Sequence, residues 1–193
     1  GTFFRGKGVY GRPHPVQSRI PVINAAASEE GRAFAMRNAD FLFTPVFDFD
    51  QAKTTVDEIS QKSALVERDV NVLTFCTVVC RPTQQEAEDY LHWYANENAD
   101  WDAVDNLMTL QGMHAQSFTK EALSMFRDRF AAGHGGFPLV GTADHIADQL
   151  ARLSEAGIAG TTLSFVDYAK EFPYFRQEVL PRLVAKGLRT ETH

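Results

Sequence analysis

An α/β fold is the architecture this sequence predicts, on three observations. Short β-rich runs and longer segments of helical spacing alternate four times along the chain. Strands separated by helices must pair in parallel, because a parallel pair cannot be closed by a tight hairpin. The 193 residues, 44% of them hydrophobic, suffice for one sizeable core or two small ones.

The first unit is the run Ile20 to Ala25, followed by a helix that opens at Ser28. The second is Asp40 to Thr44, a turn around Pro45 and Asp48, and a helix from about Gln51 to Leu65 with Val56 and Ile59 on one face. The third is the β-branched run Val70 to Cys80 and a helix over Gln84 to Asn98, where Ala87, Leu91, Tyr94 and Ala95 recur at helical intervals. The fourth is Thr161 to Val166, then a helix from Glu171 with Phe172, Phe175, Val179, Leu183 and Val184 along one side. Pro181 falls within that stretch and predicts a kink or a stop near Val179 to Leu180.

Between the third and fourth units the pattern changes. A helical stretch over Asp102 to Leu110 leads into Gln111 to Pro138, which holds Gly112, Gly133, Gly135, Gly136 and Pro138. A glycine-dense segment of this length inside a domain reads as a mobile lid or a disordered surface loop. Leu139 to Gly141 is a short extended piece. Thr142 is the N-cap of a helix carrying Ile146, Leu150 and Leu153, and Gly157 closes it.

Charge and cysteine usage exclude several function classes. The net charge is −6, with both signs interspersed, so a phosphate-backbone partner such as nucleic acid is not expected. No apolar run approaches the roughly 18 residues that cross a bilayer, and GTFFRGKGVYG lacks the core of a signal peptide, so the expectation is a chain neither secreted nor membrane-bound. Cys76 and Cys80 would stand roughly 13 Å apart along one strand, beyond disulfide reach, and two buried thiols suit the cytoplasm. The six histidines are scattered without metal-ligand spacing.

The segment most informative about chemistry is Ile23 to Arg32, INAAASEEGR, which leaves a strand, turns over small residues and opens a helix. Small side chains let a ligand approach the backbone, and the first N–H groups of a helix have no partner within it. Ser28 is therefore either an N-cap alone or an N-cap beside a phosphate site; Glu29 and Glu30 suit the helix dipole but repel a dianion unless they turn away.

PVQSRIPVINAAASEEGRAFAMRNADFLF resembles the stretch of bacterial luciferase-like flavin monooxygenases that reads Pro-x-Gln-x-x-x-Pro, strand, Ala-Gly-x-Ser-x-x-Gly-Arg, helix, Ala-Asp. The stretch from Val140-Gly141-Thr142 through Ala156-Gly157 to Val179-Leu180-Pro181-Arg182-Leu183 is similar to the end of the same family, and within it to the group of pyrimidine, dimethyl sulfone and alkanesulfonate monooxygenases. The resemblance covers nearly the whole chain. It implies a (β/α)8 TIM barrel of which residues 1–193 supply about four βα units of the second half plus a lid over residues 111–138. It implies that FMN phosphate is held by the turn Ala27, Ser28, Glu29 and Gly31, and that reduced FMN comes from a separate flavin reductase. The activity implied is monooxygenation with O2 as co-substrate. A deazaflavin (F420)-dependent oxidoreductase of the same superfamily, or a non-catalytic fragment, is the alternative.

The chain departs from the family at two places. Ala26 stands where the phosphate turn usually has glycine. Phe75 and Thr77 stand where sulfonate-oxidising members carry basic residues, which favours a small neutral or heteroaromatic substrate. Arg127 and Arg129 on the lid are either anion clamps or part of a solvated helix face.

Four strands make half a barrel. They leave two unpaired edges and an uncovered inner face expected to carry Phe41, Phe43, Phe75 or Leu163 and Phe165. The expectation is that this chain, which begins at Gly1, is the C-terminal part of a longer polypeptide or completes its barrel with another chain, and that it forms a homo-oligomer.

Overall fold

Five parallel strands form one sheet, and each connection between successive strands carries at least one helix. The structure, a computed structural model, describes residues 2–17, 19–26, 28–113 and 119–191. The order along the chain is β1 (Ile23–Asn24), α1 (Glu29–Asn38), β2 (Phe41–Phe43), α2 (Phe49–Ala64), β3 (Asn71–Cys80) and α3 (Gln84–His92). A π-helical turn over Trp93–Glu97 extends α3; then come α4 (Trp101–Leu110), α5 (Lys120–Gly133), β4 (Phe137–Gly141), α6 (Ala143–Glu155), β5 (Ile158–Ser164) and α7 (Tyr168–Ala185).

β3 organises the sheet. Leu73 pairs with Phe43 of β2 and Gly160 of β5, and Cys76 pairs with Phe137 of β4 and Leu163 of β5. A strand has two edges, so β5 takes one edge of β3 while β2 and β4 share the other, β2 at its start and β4 at its end. The barrel-like arc is therefore β1-β2-β3-β5, with β4 wedged beside the C-terminal half of β3. Among the described residues the outer edges of β1 and β5 are unpaired.

Alternation along the strands separates two faces. Leu42, Val72, Cys76 and Val78 are buried against Ala35, Ala52, Ile59, Ile146, Leu153, Phe175 and Val179 of the helices, in one continuous apolar core. The opposite face carries Phe41, Phe43, Leu73 and Phe75, none of them fully buried. Helices thus cover one side only. Leu163 and Phe165 do not belong to the open side, contrary to the sequence-based expectation: Leu163 is paired with helix-facing Cys76, and both side chains join the helix-side core. The cause is a register irregularity. Val72 pairs with Ile158 but the next residue, Leu73, pairs with Gly160, so β5 gains one residue and its parity flips.

Two other expectations change. The span from 111 to 138 contains the 14-residue helix α5, and what looked like a short extended piece at Leu139 to Gly141 is the sheet strand β4, beginning at Phe137. Helix α7 passes through Pro173 and Pro181 to Ala185 without stopping at Leu180. Phe175 and Val179 are fully buried and Leu180 and Leu183 pack on the same core, so burial of one face outweighs the missing backbone bonds.

The start of the sheet is pinned by Asp40, whose carboxylate accepts from the Val22 N–H at 2.8 Å and from Arg19, with Arg68 at 3.6 Å. The backbone N–H of Val22 and the Arg19 guanidinium hold this carboxyl below its ordinary range. A depressed folded-state value means stability present above the unfolded pKa of about 3.9 and lost as pH falls through the folded value. Asp40→Asn is therefore expected to lower the urea midpoint at pH 7, and the gap from wild type should close as pH falls below about 4. At the end of α6, Gly157 has φ +93° and a Cβ there would lie 2.7 Å from Val56 Cγ1. Gly157→Ala is expected to destabilise by roughly 1–3 kcal/mol in urea denaturation, from backbone strain plus overpacking.

Candidate functional site

Parallel topology gathers the helix starts at one end of the sheet. Ser28, Asp48, Thr83, Thr142 and Asp167 each follow a strand and each accept a backbone N–H from the first turn of α1, α2, α3, α6 or α7. Ligands of parallel α/β folds bind at this C-terminal end, where strand ends, loops and positive helix termini converge.

Ser28 is the N-cap of α1, its Oγ accepting from the Gly31 N–H at 3.1 Å. The hydroxyl hydrogen remains available, and the N–H groups of Glu29 and Glu30 precede any i−4 carbonyl in the helix. Ser28, Glu29 and Glu30 are exposed. Gly31 has a packing role: a Cβ there would sit 2.7 Å from Ala26 Cβ and 3.1 Å from Ser28 Oγ. Ala26 itself needs no left-handed backbone, since positive φ among the described non-glycine residues occurs at Glu67 and His134. Ala27 lies outside the described residues. Beside this turn, Asn24 Oδ1 and Arg32 Nε are enclosed without a hydrogen-bond partner among the described residues; Arg32 stands one helical turn from Ser28.

A second group lies on the open face. Phe43 and Phe75 stack with ring centroids 5.8 Å apart and 19° between planes. Thr77 is buried two residues further along β3 and its hydroxyl donates to the Gly133 carbonyl at 3.2 Å. A Cβ on Gly133 or Gly136 would come within 2.4 or 2.7 Å of Thr77 Oγ1, and one on Gly136 within 3.2 Å of Phe75. The glycines of the expected lid thus let the α5–β4 corner rest directly on Phe75 and Thr77.

The two arginines expected on a lid take different places. Arg127 is committed to a bidentate pair with Asp105, Nε to Oδ1 at 2.6 Å and Nη2 to Oδ2 at 3.0 Å, and lies 4.1 Å over the Trp101 ring. It ties α5 to α4 above a small apolar cluster of Val104, Met108 and Phe126. Arg129 reaches the β2–α2 loop, Nη2 donating to the Phe47 carbonyl at 2.7 Å while Nη1 is enclosed without a partner among the described residues. Burial lowers the pKa of this guanidinium. Ser28 and Gly31 therefore form one group on the β1–α1 turn; Phe75, Thr77 and the end of α5 form another.

Sequence reasoning missed a buried ion pair at the same end. Arg81, just after β3, donates from Nη2 to Glu171 Oε1 at 2.6 Å and lies 4.0 Å over the Tyr90 ring. Glu171 Oε2 accepts from the Asp167 N–H at 3.1 Å, which fixes the β5–α7 turn to β3. Glu171→Gln is expected to cost about 2 to 3 kcal/mol, because it leaves a largely buried guanidinium uncompensated. The double variant Arg81→Met, Glu171→Leu should recover most of that loss in the same urea titration.

The chain matches the family model for luciferase-like monooxygenases over residues 1–160 and belongs to that family. It is 28% identical over 191 residues to an FMNH2-dependent dimethylsulfone monooxygenase of Pseudomonas fluorescens, covering 94% of this chain and 50% of that protein. To a dimethyl-sulfide monooxygenase of Hyphomicrobium sulfonivorans it is 26% identical, covering 93% and 44%. Among solved structures it resembles EDTA monooxygenase from Chelativorans sp. BNC1, with a TM-score of 0.77, 19% identity and coverage of 97% and 50%. An F420-dependent tetrahydromethanopterin reductase from Methanopyrus kandleri is more distant, with a TM-score of 0.54, 18% identity and coverage of 84% and 50%. The chain spans about half the length of these relatives, and its fold is a partial barrel of the luciferase-like TIM-barrel type.

Proposed function

We propose that this chain supplies the phosphate-holding half of an FMN-dependent monooxygenase barrel. The observation that carries the reading is the exposed, Ser28-capped start of α1 at the C-terminal end of a parallel sheet, in a member of a monooxygenase family. The donors fit a flavin phosphate: one serine hydroxyl and the N–H groups of Glu29 and Glu30, with Gly31 shaping the turn. When bound, reduced FMN supplies the activation of O2.

The residues of this chain bind, wall and cover. Phe43 and Phe75 present an apolar surface without a counter-charge, which suits a small neutral or heteroaromatic substrate and excludes water from the reaction. The α5–β4 corner on Thr77 is the fixed root of the lid, with Arg127 and Arg129 bracing α5 from the sides. The unpaired edges of β1 and β5, together with relatives about twice as long, support completion by a second half-barrel. A separate flavin reductase, homo-oligomerisation and a cytoplasmic location complete the proposal. Cys76 and Cys80 are free and buried, which suits that location.

Ser28 offers a direct test, since capping and phosphate binding demand different things of it. Ser28→Ala should weaken reduced-FMN binding several-fold and cost about 1 kcal/mol of stability. Ser28→Asp keeps the cap, so the urea midpoint should hold while FMN affinity collapses through charge repulsion. Unchanged affinity in Ser28→Asp would rule out the phosphate site. The alternative of F420-dependent hydride transfer predicts that the longer-tailed deazaflavin outcompetes FMN in the same titration.

A further inference from the structure

The parity flip in β5 brings hydroxyls, not leucines, to the open face. Thr162 and Ser164 pair with Phe75 and Thr77 and share their side of the sheet. The Thr77 hydroxyl is committed to the Gly133 carbonyl. That of Ser164 is not: its hydrogen-bonding neighbour among the described residues is the Tyr168 phenol, 3.4 Å away. The same phenol stands 3.4 Å from the Leu163 carbonyl, so both contacts are too long for strong O–H···O bonds. Tyr168 is 57% exposed, yet its position is defined. Its ring meets Phe165 edge-on at 5.5 Å, and it starts from the turn that Glu171 and Arg81 fix.

We propose that Ser164 and Tyr168 are the substrate's oxygen-recognition site, donating to an oxygen of a small neutral molecule whose carbon skeleton rests against Phe43 and Phe75. The proposal rests on the monooxygenase reading and deepens it by naming the substrate class. Two neutral donors beside an apolar wall select a neutral acceptor, such as a sulfonyl or carbonyl oxygen. An anion would meet aromatic rings without a counter-charge, and a bare hydrocarbon would leave both hydroxyls unpaired. Ser164 and Tyr168 would be specificity-determining residues.

The test uses two probes with the same pair of methyl groups, dimethyl sulfone and dimethyl sulfide, in competition by saturation-transfer NMR on the 193-residue chain. The sulfone is expected to bind at least tenfold more tightly. Ser164→Ala and Tyr168→Phe should each bring the ratio toward one, while Ser164→Thr, which keeps a hydroxyl, should preserve it. No sulfone binding, no preference in the wild type, or a ratio that survives both deletions would overturn the proposal. FMN affinity, followed in parallel by fluorescence quenching, should be the same in all variants. A sulfone preference without FMN binding would sink the flavin reading and leave the oxygen-recognition site standing.

Discussion

The ladder of hydrogen bonds along β3 is the constraint on which the rest of the structure depends. This one strand is bonded to β2, β4 and β5, and its alternation decides which side chains meet helices and which meet the open face. The helix-side core, from Leu42 through Cys76 to Phe175, is continuous through the described residues. Cohesion of sheet and helices therefore does not wait for the ring to close, and the face that would line the barrel is set out by strands already held from behind.

That division of labour explains the site. Every strand delivers its chain to a helix start at the same end, so the caps Ser28, Asp48, Thr83, Thr142 and Asp167 share one end of the sheet without being neighbours in sequence. The α5–β4 corner is seated on Thr77 by close contacts that only glycine allows at residues 133 and 136. Arg127, Arg129 and Thr77 act as fasteners of that corner, each already engaged by a carboxylate, a carbonyl or both sides of a tight contact.

Much of this was legible in the sequence because local chemistry and tertiary context agree. The Ser28 cap, the Thr142 cap, the turn at Gly157 and the alternation of strands and helices are written in residues whose preferences the fold obeys. The misread elements are those where packing overrules local preference. Pro181 lies in a helix because Phe175 and Val179 before it are buried and Leu183 after it packs on the same core. The glycines before Pro138 looked like a loop, yet they mark close approach to Thr77, and α5 was hidden between them. Arg81 and Glu171, 90 positions apart, carry no local signal at all. The candidate phosphate turn could be read from INAAASEEGR; the hydroxyls of β5 could not, because their facing depends on a register set by β3.

The irregularity between Val72 and Leu73 has a wider meaning for how such a molecule could change. The bulge absorbs one additional residue, Ala159, between the Val72–Ile158 and Leu73–Gly160 pairs while the pairs that follow stay regular. Loss of Ala159 would bring the Val72–Ile158 and Leu73–Gly160 pairs into step and straighten the strand, with Thr162 and Ser164 still on the open face and Leu163 still toward the helices. The strand therefore has one place where chain length can vary without altering which residues the open face carries.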